Sequence, residues 1–156
     1  MSAARSAYDD WHREHPTGAG LWYELARRVL RDHLAGMSVL EIGCGGGSFS
    51  AWMAAEGATR VVGADFSPTA IASAQAEFRA DNLEFDMTDI TAMDYLGETF
   101  DIVVSCETLE HVPSPQAAVR ELARVLRPNG LLVLSVPNYL SITGAHRMFW
   151  KVTGRR

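Results

Sequence analysis

The chain has 156 residues, of which 47% are hydrophobic, 21% charged and 9% aromatic. That balance is too apolar for a disordered chain, and the length suits one domain with its own core. A formal net charge of −5 gives no general attraction for phosphate backbones, so a nucleic-acid partner is disfavoured from the outset.

Residues 1–18 are polar with scattered aromatics, Tyr8 and Trp11 among them, and end in Pro16-Thr17-Gly18. They read as an N-terminal arm or lid ahead of one domain over 19–156, and the opening five residues do not resemble a secretory leader. Leu21, Trp22, Leu25, Ala26, Val29, Leu30 and Leu34 then recur at helical spacing until Gly36 stops the run, predicting a helix with one buried stripe. Ser38 to Ile42 is a short apolar strand broken by the glycine run Gly43 to Gly47. Phe49, Trp52 and Met53 follow at helical spacing, and Gly57 ends that helix.

A second strand runs from Arg60 to Ala64. Ser67-Pro68 supplies a cap and a first-turn proline for a helix burying Ile71, Ala74 and Phe78. Asn82 to Phe85 is a weaker third strand and Phe100 to Ser105 a strong fourth. Ser114-Pro115 repeats the capping device before a helix carrying Val119, Leu122 and Leu126, and Pro128-Asn129-Gly130 turns into a fifth strand, Leu131 to Val136. Continuously apolar strands alternating with helices predict an α/β fold, a Rossmann-like parallel sheet with helices on both faces and strand order 3-2-1-4-5. Ligands of such sheets bind beyond the carboxyl ends of the strands.

Four polar features fall at the ends of four successive strands. The first is Glu41-Ile42-Gly43-Cys44-Gly45-Gly46-Gly47, where missing Cβ atoms let backbone approach a ligand. An acidic residue at this strand end suits a cationic amine, whereas dinucleotide sites cradle an anionic pyrophosphate. The second is Asp65, placed to accept the hydroxyls of a ribose, with Phe66 beside it for a purine ring. The third is Asp89, placed to accept from an exocyclic amine. The fourth is the segment Ser105 to His111, facing the glycine loop. Plainer readings compete: Asp65 as a helix cap, although Ser67 already fills that place, and Asp89 as a turn-former.

These stretches, with Gly63-Ala64-Asp65-Phe66-Ser67, Thr88-Asp89-Ile90 and Leu109-Glu110-His111-Val112, resemble the ordered motifs of class I S-adenosylmethionine-dependent methyltransferases from about Val39 to Val136. Cys106-Glu107-Thr108-Leu109-Glu110-His111-Val112 is most similar to the ubiquinone-biosynthesis O-methyltransferase group. The resemblance implies that Glu41 engages the methionine amino group directly or through water, and that Gly43, Gly45 and Gly47 line methionine and ribose. Asp65 would hold the ribose, and Asp89 with the Ile90 backbone would read adenine. Cys44, Phe66 and Cys106 complete the expected cofactor-lining set.

The implied function is methyl transfer to a small-molecule acceptor, a hydroxyl oxygen first. The alternatives are a non-catalytic, partner-dependent cofactor-binding subunit and, behind it, an NAD-dependent oxidoreductase. Glu107, Glu110 and His111 raise three readings: ligands of a divalent metal as in metal-dependent relatives, His111 as a general base, or a loop closed by hydrogen bonds. Metal is not the favoured one. Cys44 and Cys106 are expected as neighbouring buried thiols in a cytoplasmic protein. No run approaches the roughly 20 apolar residues of a membrane span.

The family sheet ends in two antiparallel strands that this chain looks too short to supply. Residues 138–156 are therefore expected to form no sixth and seventh strand, and the amphipathic Arg147–Lys151 motif reads as a satellite packing helix. The Leu131–Val136 edge would then need strands from another chain, cover from the tail beyond Asn138 or, the favoured reading, the further sequence of a longer protein, and left open it would recruit a second copy or a partner chain.

Overall fold

The computed structural model describes residues 21–138 and 146–153, so the expected arm at 1–18, with Tyr8 and Trp11, lies outside the described residues. The elements are α1 (Leu21–Leu30) with a 3-10 turn at Arg31–His33, β1 (Ser38–Ile42), α2 (Ser48–Ala55), β2 (Arg60–Asp65), α3 (Pro68–Glu77) and β3 (Leu83–Met87). They continue with β4 (Phe100–Cys106), a 3-10 turn at Leu109–His111, α4 (Pro115–Val125), β5 (Leu126–Asn138) and β6 (His146–Thr153).

The strands form one sheet in the order β3-β2-β1-β4-β5-β6. The first five are parallel neighbours, as expected. Beside β5, however, β6 runs antiparallel from Leu131↔Thr153 to Asn138↔His146. This corrects the expectation that the tail contributes no sixth strand, and Arg147 to Lys151 are strand residues instead of a packing helix. The physical reason is the one that made an open edge improbable: the unpaired amides and carbonyls of β5 are best satisfied by the nearest extended segment. The basis for pairing with another chain at the β5 edge is thereby removed.

Alternating side chains of the strands feed two cores. Val39, Val61, Ile102 and Val104 pack on one face with Tyr23, Ala26, Leu30 and Leu34 from the α1 segment and Phe49 and Met53 of α2. Leu40, Val62, Val103 and Leu132 pack on the other with Ala118, Leu122 and Val125 of α4. Each fully buried large side chain, Phe49, Leu30 or Leu122 for example, contributes about 1.5–3 kcal/mol of burial.

Two expected stripes hold in part, with Ala26, Leu30, Leu34 and Leu122 buried as expected. On α1 the buried residues are Tyr23, Ala26 and Leu30, while Leu25 and Val29 are exposed. On α4 Val119 is exposed, and Ala118, Leu122 and Val125 face the sheet. Among the described residues no helix is long and apolar enough to cross a membrane.

Candidate functional site

The strand ends of β1, β2 and β4 meet around the glycine loop. Gly43 and Cys44 both donate their amides to the carbonyl of Ala64, at 2.7 and 3.0 Å, so the loop folds directly over the end of β2. Asp65, only 1% exposed, holds the next part of it. Its Oδ2 accepts from the Gly45 amide at 3.0 Å and its Oδ1 from the Ser67 amide at 2.9 Å. Ser67 itself caps α3, accepting from the Ala70 amide at 3.2 Å. Asp65 is thus not the cap of α3. Each oxygen of a carboxylate can accept more than one hydrogen bond, so the chemistry of Asp65 suits a bound diol.

Gly43 has φ +82°, and a Cβ there would lie 2.1 Å from Thr108 Oγ1. That hydroxyl sits within 3.0 Å of the Cys106 carbonyl and 3.4 Å of the Ile42 carbonyl, joining the end of β4 to the end of β1. Only glycine satisfies both the left-handed backbone and the close approach. Gly45 and Gly47 also have positive φ, and Gly47 leads directly into α2.

Glu41 lies beneath this loop, 1% exposed, on the strand row Phe85–Gly63–Glu41–Val104–Val133. Its Oε2 accepts from the Ser50 hydroxyl of α2. Burial pushes its carboxyl up to about 8, and the charge of Asp65 adds to the rise while the Ser50 bond opposes it. Gly63 leaves the room: a Cβ there would meet Ser50 Oγ at 2.6 Å and Phe85 Cδ1 at 2.7 Å. Burial likewise raises the Cys44 and Cys106 thiols, with Glu41 adding to both, and both cysteines are free and buried.

Past β3, Asp89 is exposed, and its Oδ1 accepts from the Thr91 amide at 2.8 Å and the Thr91 hydroxyl at 2.7 Å. The turn-former reading of Asp89 therefore describes what that oxygen does, while Ile90 is buried beside it. Phe66, directly after β2, is 40% exposed.

After β4, Glu107 adopts φ +53°, a left-handed backbone that glutamate rarely takes. Its amide donates to the Ser135 carbonyl at 3.1 Å, and Ser135 Oγ lies 3.1 Å from Glu107 Oε1. The His111 side chain is 63% exposed, with Nε2 4.0 Å from Glu110 Oε1. Among the described residues no group of three or more His, Cys, Asp or Glu is arranged to hold a metal, so Glu107, Glu110 and His111 do not gather as a ligand set. Ser50, Thr108 and Ser135 were not among the expected site residues. Gly63 was the available signal for Ser50, since a glycine inside a strand marks a close approach.

Two buried carboxyl groups beside a glycine loop, with no cation bonded to Glu41 among the described residues, offer nothing to a pyrophosphate and suit a cationic ligand carrying a diol. With the 3-2-1-4-5 parallel core, that combination defines the Rossmann-like S-adenosylmethionine-dependent methyltransferases. A family model described as a methyltransferase domain matches residues 40–134, and the chain belongs to that family.

Among relatives, the ubiquinone biosynthesis O-methyltransferase of Pseudomonas syringae pv. tomato is 40% identical over 111 residues, covering 69% of this chain and 47% of the relative. The methyltransferase GfsG of Streptomyces halstedii is 36% identical, covering 67% of this chain and 39% of that protein. Among solved structures, an S-adenosylmethionine-dependent methyltransferase from Mesorhizobium loti superposes with a TM-score of 0.70 at 25% identity, covering 86% of this chain and 65% of that one. The chain spans about half the length of the ubiquinone-type relatives it matches.

Proposed function

We propose that this domain binds S-adenosylmethionine over the ends of β1 and β2 and transfers its methyl group to a hydroxyl oxygen of a small-molecule acceptor. The observation that carries this reading is the placement of Glu41, Gly45 and Asp65 at the adjacent ends of β1 and β2, in a family with O-methyltransferase relatives. The cofactor supplies a methyl carbon on a positive sulfonium, ready for in-line displacement. Asp65 holds the ribose, Gly43, Cys44, Gly45 and Gly47 bring backbone against the methionine and ribose, and Phe66 stacks on the purine. Asp89 and the Ile90 backbone read the adenine edge. Glu41, through the thin loop above it, favours the methionine ammonium. Cys106 closes the floor between β1 and β4.

The chain's contribution to rate is mostly positioning, since the displacement needs aligned reactants more than acid–base help. His111, on the exposed rim after β4, takes the acceptor proton as the hydroxyl attacks. A metal is not required by this reading. The acceptor comes from the direction of β4 and β5, and a cytoplasmic setting fits the two reduced thiols.

Titration calorimetry with S-adenosylhomocysteine tests the cofactor assignment. Asp65→Ala should weaken binding by about 1–3 kcal/mol, the loss of a charged hydrogen-bond acceptor from a buried site. Equal affinity in both proteins removes Asp65 from the site. Transfer of labelled methyl to a panel of catechols then tests the hydroxyl acceptor class.

A further inference from the structure

Glu41 stands in an unusual place for an acid. It is 1% exposed, its row neighbours are Gly63 and Val104, and its bonded partner is the Ser50 hydroxyl. The groups around it make an anion more costly still. The loop brings Cys44 and β2 brings Asp65, β4 brings Cys106, and α2 brings only the neutral Ser50. Among the described residues no ion pair reaches Glu41, and Arg27 of α1 lies over aromatic faces, 5.7 Å from the Phe49 centroid and 5.4 Å from that of Trp52. A carboxylate buried with a second carboxylate and without a cation takes up a proton. A positive ligand over the loop reverses that preference, because its charge acts across a dry, low-dielectric gap.

We infer that Glu41 is a neutral acid in the ligand-free domain and releases its proton to solvent when a cationic amino-acid group binds above the glycine loop, so that cofactor capture is coupled to loss of one proton. The inference rests on the cofactor reading above. Linkage fixes the sign of the pH effect. Affinity rises with pH while free Glu41 is protonated and levels off once it ionises unaided. With its carboxyl pushed up to about 8, the rising limb covers neutral pH. The thiols of Cys44 and Cys106 are held protonated through the same range and supply no proton.

The experiment is titration of the intact chain with S-adenosylhomocysteine, whose amino group is cationic below neutrality, at about pH 6.5 in buffers of differing ionisation enthalpy. Close to one proton released per ligand is expected, and affinity should rise severalfold between about pH 6 and about pH 7.5. Glu41→Gln, which keeps the size and the Ser50 contact, should bind with no proton released. Binding with buffer-independent enthalpy overturns the inference and leaves the cofactor reading intact. Undiminished release from Glu41→Gln overturns it as well, by assigning the proton elsewhere. No binding at all overturns the cofactor reading itself. Should Glu41→Gln fail to fold, difference infrared spectra of the wild-type chain decide: loss of a protonated-carboxyl band on ligand addition supports the inference, and no change refutes it.

Discussion

Gly63 lies in the middle of β2, where a packed strand would normally favour a β-branched residue. Its missing side chain is filled from both sides by Ser50 and Phe85. Gly63→Ala should therefore cost about 1–3 kcal/mol by overpacking and lower Tm, and it should also weaken S-adenosylhomocysteine because Ser50 is pushed off Glu41. Gly36 provides the comparison. It has φ +80° but nothing within 4 Å of a built Cβ, so Gly36→Ala should cost about 1–2 kcal/mol from the backbone alone and leave ligand affinity unchanged. Thermal melts with and without ligand separate the two effects. Glu107 is the reverse case, a large side chain kept at φ +53° and tied to Ser135 at the end of β5. Strain of that kind collects at functional sites.

At the scale of elements, two helices open with the same dipeptide and differ in what the serine does. Ser67 accepts from the Ala70 amide, whereas Ser114 makes no side-chain cap. Ser67→Ala should lower stability by about 1 kcal/mol and Ser114→Ala by less than about 0.5, which denaturant midpoints can resolve. Sequence could not separate them, because a cap depends on the serine rotamer and the entering backbone. The parallel strands were legible for a different reason: buried both faces, they read as unbroken apolar runs such as Val61-Val62 and Ile102-Val103-Val104. Glu41 and Asp65 stood out by interrupting those runs. Leu25, Val29 and Val119 misled, since periodicity gives a helix its stripe only to within one residue of rotation. The sixth strand was hidden because Arg147 to Lys151 has no clean alternation, and its pairing comes from the open edge of β5.

For the molecule as a whole, buried and paired acids set opposing pH limits on stability. Glu41 has its folded carboxyl raised to about 8 from 4.5, so its stabilisation is complete below the lower value and is lost as pH climbs to the upper one. Asp101, held low by Ser38 and Arg127, and Glu121, held low by Arg124, contribute in the other direction and lose their share on acidification. Tm of the ligand-free chain should therefore peak on the acid side of neutrality and fall between about pH 6 and about pH 8, a fall that Glu41→Gln should flatten. A melt series that rises through this interval would contradict the neutral acid. The bonds of Thr108 to Ile42, of Gly43 to Ala64 and of Asp65 to Gly45 have a kinetic consequence as well. A rim already bonded to itself across three strand ends has little left to order when a ligand arrives, so encounter should be fast and nearly alike for related ligands. Discrimination among them would then reside in how long each one stays.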